Sequence, residues 1–273
     1  DPLGLPAPPQ LFVFLYLLTM LLHVLFMNLV LGGNVLALAL NVAALRGRQE
    51  ANSIANLIYQ MTPAGISMAV TMGVAPLLFL QVLYGPFFYS ANVLMGFAWF
   101  SFVIVLLIGF YIAHWLALRG SNALQQRLGR WDEQPGRRMV LGLFTTTTLL
   151  WVAWILTNNH ELSLRPSLWP DGEAWRSPRF YVAASTTIMR YLHNVVGATA
   201  IAGLWLVAIG WWRINRQSGI DQTNRTMVRF GLLSAAGLTI IQLVIGPLFF
   251  ISLEDVARHQ LMGFKTGLGT IWT

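Results

Sequence analysis

The stretch LFVFLYLLTMLLHVLFMNLVLGGNV (11–35) decides the fold of this chain. It carries no charged residue and exceeds the roughly 20 apolar residues that a helix needs to cross a bilayer. His23 lies about a dozen residues into it. A histidine at hydrocarbon depth is costly to place and normally has a partner or a ligand. The run offers no Asp or Glu to pair with it, and a neutral imidazole is a common metal ligand. A second histidine, His193, sits at a similar depth in another apolar segment.

Composition points to the same setting. Of 273 residues, 56% are hydrophobic and only 10% charged, with a mean hydropathy of +0.62. Average soluble domains carry roughly 25% charged residues, so this chain has too little polar surface for a water-soluble fold. There is no Cys, which excludes disulfides, iron–sulfur clusters and covalent c-type haem attachment within the sequence. Any haem would be held non-covalently. The net charge of +7 would suggest nucleic acid in a soluble protein. Here the arginines lie in short connections between apolar runs, where membrane topology explains them better, and no nucleic-acid partner is expected. The start, DPLGLPAPPQ, lacks a basic n-region and does not read as an intact signal peptide.

Six segments are long and apolar enough to span: about 11–42, 61–88, 92–118, 138–157, 181–212 and 228–252. The expected fold is therefore all-α, a polytopic six-helix membrane bundle forming a single domain over 1–273. Gly85-Pro86 and Pro135-Gly136 read as breaks between spans, Pro63 as a first-turn proline and Pro76 as a kink. Arg46, Arg48, Arg119, Arg127, Arg130, Arg137, Arg138, Arg213, Arg216, Arg225 and Arg229 fall on one side. Arg165, Arg176, Arg179, Arg190, Arg258 and Lys265 fall on the other. The richer side is assigned to the cytoplasm, which puts both termini outside. The outer side then holds the 158–180 connection, with Trp169 and Trp175, and a C-terminal segment 253–273.

His23 and His193 are each about a dozen residues from the outer ends of their spans, roughly 18 Å deep. Imidazoles at matching depth can clamp one haem iron; equally, each can hydrogen-bond a carbonyl or hydroxyl across helices. Asn194, Thr186 and Thr187 are nearby polar groups, and Gly197, Ala198 and Ala200 leave room for a flat macrocycle. Gly32 and Gly33 suit close helix packing. His114, near the opposite end of the third span, reads as an interfacial or gating residue, with a ligand role as the alternative. His160 and His259, with Glu254, are candidate proton acceptors for a quinol, since an unperturbed imidazole titrates near 6.5. Solvated loop histidines are the competing reading. The methionines, Met20 and Met72 among them, fill packing gaps. All ten carboxylates fall in loops or at span ends, so an acid relay at bilayer depth is missing.

LTMLLHVLFMNLVLGG (18–33) and GVAPLLFLQVLYGPFFYS (73–90) resemble the first two helices of subunit I of the cytochrome bd-type quinol oxidases. YLHNVVGATAIAGLW (191–205) is similar to the family's fifth helix, and SLEDVARHQLMG (252–263) to the start of its outer quinol loop. The order of these motifs, more than any one of them, carries the likeness, which runs over essentially the whole chain. The resemblance implies that His23 is an axial haem ligand and His193 an axial ligand of a b-type haem, on different haems. The departures are as informative. The family's third-helix glutamates are absent from FAWFSFVIVLLIGFYIAHW (97–115), and its later helices have no counterpart here. The quinol-loop Lys and Glu align with Gln260 and Lys265. Oxygen reduction is therefore not expected in this chain, which reads as a divergent, truncated relative of the family's quinol-oxidising half.

The resulting expectation is a haem b-binding subunit in a prokaryotic-type cytoplasmic membrane. It would pass electrons between membrane quinone or quinol and an outward-facing partner such as a c-type cytochrome or iron–sulfur protein. The rival is a membrane anchor or assembly scaffold that keeps the fold without the cofactor.

Overall fold

A computed structural model describes residues 4–119, 135–169, 185–216 and 221–262. The described residues form helices α1 (Pro9–Leu45), α2 (Gln49–Leu94), α3 (Gly96–Arg119), α4 (Pro135–Leu164), α5 (Ser185–Arg216), α6 (Gln222–Ser252) and the short α7 (Asp255–Met262). A single 3-10 turn, Pro166–Leu168, follows α4. Six of these helices are long and apolar enough to cross a membrane, and no strand occurs among the described residues. This is an all-helical, multi-pass membrane protein.

Helix α2 departs most from the sequence expectation. It runs for 46 residues, or about 69 Å, more than twice the roughly 30 Å of a bilayer's hydrocarbon core. Its first three turns, read from sequence as a loop, bury Ala51, Ile54, Ala55, Ile58 and Tyr59. That spacing is a helical stripe. Gly85-Pro86 does not end the helix. The chain bends at Tyr84 (φ −132°, ψ 36°) and continues to Leu94, leaving only Met95 before α3. Pro86 has no N–H for the carbonyl of Val82, and this loss accounts for the kink. Pro63 lies well inside the helix instead of in its first turn. Pro76 is buried in a stretch without a dihedral break, so the kink expected there falls eight residues later.

Helix α1 is the hub, packing on α2, α4 and α5, while α6 lies against α5, and α3 against α4 and α2. Val30 and Leu31 cluster with Ala198, and Leu36 and Leu40 with Ala202 and Leu206, so α1 and α5 run parallel. Their backbones meet at Gly32, where any Cβ would collide with the carbonyl of Ala198. Lipid is as apolar as leucine, so such close approach and interhelical hydrogen bonds hold the helices together. A third cluster, Ala91, Met95, Ala98, Ile155 and Leu162 with four tryptophans at its edge, joins α2, α3 and α4.

Polar side chains form a ladder down the middle. Asn34 donates to Thr62 Oγ1 (3.1 Å), and Asn41 donates to the Tyr59 hydroxyl (2.6 Å). Arg138, counted from sequence as a loop cation, is completely buried instead. Its Nε donates to Asn41 Oδ1 (3.0 Å) and its Nη1 to the carbonyl of Asn52 (3.3 Å). The rung ties α4 to α1 and α2. The outer faces are the reverse: Leu21, Phe97, Tyr111 and Leu243 stand exposed, as lipid-facing side chains do.

Candidate functional site

His23 projects from α1 onto α2. Its Nδ1 lies 2.8 Å from the carbonyl oxygen of Ala69, and a carbonyl only accepts, so Nδ1 carries the hydrogen. Gly73 admits the ring: a Cβ there would stand 2.7 Å from Nδ1. The bond fixes the tautomer and leaves Nε2 with its lone pair, the form in which imidazole ligates a metal.

His193 projects from α5 onto α6. Its ring stacks on Phe249 (centroids 5.7 Å apart, planes 26° from parallel), and its Cε1 would lie 4.0 Å from a Cβ at Gly246. The side chain of Gln242 donates to the backbone carbonyl of His193 at 2.6 Å. The imidazole's own Nδ1 is buried and has no hydrogen-bond partner among the described residues. A buried unpaired imidazole nitrogen is costly and calls for an explanation by a ligand or water.

The two histidines belong to different seams, α1–α2 and α5–α6. Measured from the Gly32–Ala198 crossing, His23 is nine residues away and His193 five, an offset of about 6 Å along parallel helices. The levels are close to those expected, but no contact joins the two residues. Both side chains are half-buried, so each keeps an edge toward the bundle surface. The small residues after His193 are engaged elsewhere: Ala198 abuts α1, and a Cβ at Gly197 would lie 2.9 Å from Gln242 Nε2. Neither Thr186, which donates to the Ser252 carbonyl (2.6 Å), nor exposed Asn194 bonds a histidine.

Beside His193 lies an ion network that the sequence reading passed over. Glu161 at the end of α4 is almost wholly buried. It accepts from Arg165 (3.3 Å) on one oxygen and from Arg190 (3.0 Å) on the other. Arg165 also donates to Glu254 (2.7 Å) just after α6. The guanidinium of Arg190 lies 4.9 Å over the ring of Phe249, the ring that stacks on His193. Charge, aromatic face and imidazole are thus contiguous at one end of α4, α5 and α6. The signal was present in the four-residue spacing of Glu161 and Arg165, and in Arg190 standing among apolar neighbours three residues before His193.

The remaining histidines stay apart. His160 precedes Glu161 and is exposed, within reach of the Arg190 charge. His259 is exposed on α7, where Asp255 pairs with Arg258. His114 donates from Nδ1 to the carbonyl of Phe110 in its own helix (3.2 Å) and lies edge-on to that residue's ring (4.2 Å). Lys265 and the side chain of Gln260 lie outside the described residues. Among the described residues, no group of three or more His, Cys, Asp or Glu gathers as a metal cage. Two imidazoles among the described residues, those of His23 and His114, have Nδ1 fixed on a carbonyl, which leaves Nε2 as the free nitrogen.

No known protein family, curated protein or solved structure matches this chain.

Proposed function

We propose that the chain is a haem b-binding membrane subunit that moves electrons between quinol and a partner protein on the outer face. The observation that supports it most is His23: a membrane-depth imidazole whose Nδ1–H is fixed on the Ala69 carbonyl, leaving Nε2 as a donor. Buried, unpaired His193 Nδ1 beside Phe249 is the second support.

In this reading the N-terminus faces outward, and His23 and His193 serve as axial ligands on separate haems, one in each seam. Haem, when bound, supplies the one-electron chemistry. The protein's share is to orient the ligands, exclude water and set the local field. Arg190 and Arg165, balanced by Glu161 and Glu254, form a fixed ion network at the end of the bundle where His193 lies. His160, Glu254 and His259 at that end are the groups to accept quinol protons. His114, whose Nδ1 is bonded to the Phe110 carbonyl, also keeps Nε2 free and is the alternative ligand. The outward partner is a c-type cytochrome or iron–sulfur protein, and the site lies in a prokaryotic-type cytoplasmic membrane.

The anchor reading has one observation on its side. His23 is already satisfied by a protein acceptor, as a purely structural membrane histidine would be. Anaerobic addition of a short-chain quinol to the purified chain separates the two. A reduced b-type spectrum supports the redox reading, and an unchanged spectrum in a chain that contains no haem supports the anchor.

A further inference from the structure

At the hairpin end of α5 and α6, far along both helices from His193, an open groove of about 350 Å³ is lined by Trp211, Ile214, Arg225, Val228, Arg229, Leu232 and Leu233. Its volume is that of a ligand pocket, roughly 300–1,000 Å³. Its polarity is ordered along one helix face. Residues 225, 228, 229, 232 and 233 follow helical neighbour spacing, which stacks them in a stripe. Arg225 is at the mouth, Arg229 one turn in, and Leu232 and Leu233 about 12 Å deeper from Arg225. Close contact of the two helices at Gly210, where a Cβ would stand 2.7 Å from Val228 Cγ2, makes the floor. Exposed Trp211 forms the opposite wall.

Both arginines are exposed, and neither makes an ion pair among the described residues. The adjacent carboxylate, Asp221, caps α6 by accepting from the Thr223 amide (2.9 Å). Arg213 and Arg216 at the end of α5 add to the positive field, with Arg216 stacked over Trp212 at 4.8 Å. We propose that this groove binds one anionic phospholipid, its phosphate between Arg225 and Arg229 and an acyl chain along Leu232 and Leu233. The order of groups matches the order in the lipid: anion at the membrane surface, hydrocarbon beneath. A neutral quinone has no charge to balance two arginines, and free phosphate would leave the apolar wall unused. Basic residues at a membrane surface attract anionic lipid. The site is independent of any haem.

The test uses the full chain, delipidated in detergent, with binding read by native mass spectrometry. Phosphatidylglycerol, phosphatidylcholine with the same acyl chains, and inorganic phosphate are titrated separately. Phosphatidylglycerol is expected to bind at least about tenfold tighter than phosphatidylcholine, with phosphate not detectably bound. The double variant Arg225→Gln/Arg229→Gln should lose that preference, whereas Arg46→Gln/Arg48→Gln, which removes equal charge elsewhere, should keep it. Leu232→Trp, which fills the groove, should weaken both lipids. Equal binding of the two lipids, equal loss in both double variants, no effect of Leu232→Trp, or phosphate binding as tightly as phosphatidylglycerol would each overturn the proposal.

Discussion

Nδ1 of His23 lies 2.8 Å from the carbonyl oxygen of Ala69, four residues before the glycine that lets the ring in. One pair of residues thus sets the position and the tautomer of the only membrane-depth histidine with an interhelical acceptor among the described residues. Gly73→Val should push the imidazole off this carbonyl. A lost interhelical hydrogen bond of this kind is worth about 1 kcal/mol, so thermal unfolding in detergent should shift modestly downward. If haem is bound, its absorption maximum should move as well. An unchanged unfolding curve together with an unchanged spectrum would mean that the His23–Ala69 contact is incidental.

Gly32 and Gly33 are adjacent in sequence but differ in what faces them. A Cβ at Gly32 would enter the backbone of Ala198, while one at Gly33 meets only Ile58 Cγ2 at 3.4 Å. Gly32→Ala should therefore destabilise the bundle by about 2 kcal/mol or more, since neither helix backbone can yield cheaply. Gly33→Ala should cost well under half of that. Equal effects in a detergent unfolding series would contradict the placement of the α1–α5 crossing.

Removing the carboxylate of Glu161 leaves two arginines facing each other with little water. Glu161→Gln is expected to cost about 3 kcal/mol, as for other buried ion pairs broken on one side. A double-mutant cycle with Arg190→Gln should show coupling above about 1 kcal/mol. The Arg165–Glu254 pair, half-exposed on its acidic side, should contribute less than about 1 kcal/mol and weaken with salt. The reverse ranking would show that the network is anchored at Glu254 instead.

Much of this could be read from residues alone, and the exceptions have physical causes. Apolar runs such as 11–35 declare a crossing because the bilayer imposes a length, and the packing role of Gly32 followed from its size. The continuation of α2 through Gly85-Pro86 did not, because proline breaks a helix in water but only bends it where packing holds the next turn. The turns at 49–60 were legible as a helical stripe, hidden by their polar composition. Arg138 looked like a loop cation because nothing local reveals that Asn41, 97 residues earlier in the chain, turns its oxygen toward it. Glu161 was passed over for the same reason: its partner Arg190 is distant in sequence and adjacent only once α4 and α5 pack.

Orientation is open to a clean test, since the chain has no cysteine to interfere. Single reporters Gly47→Cys, between α1 and α2, and His259→Cys, on α7, should label from opposite sides of an intact membrane. The outward-terminus reading has His259→Cys react with an impermeant reagent from outside and Gly47→Cys only after the membrane is opened. The opposite pattern would invert the proposed topology and move the quinol end to the inner face.

We propose above that iron porphyrin is held by imidazoles of α1 and α5. A pyridine haemochrome spectrum of the purified chain tests it most directly. A b-type signal in stoichiometric amount is expected, with one component lost in His23→Ala and another in His193→Ala. Protein that is folded, helical and free of porphyrin would contradict it.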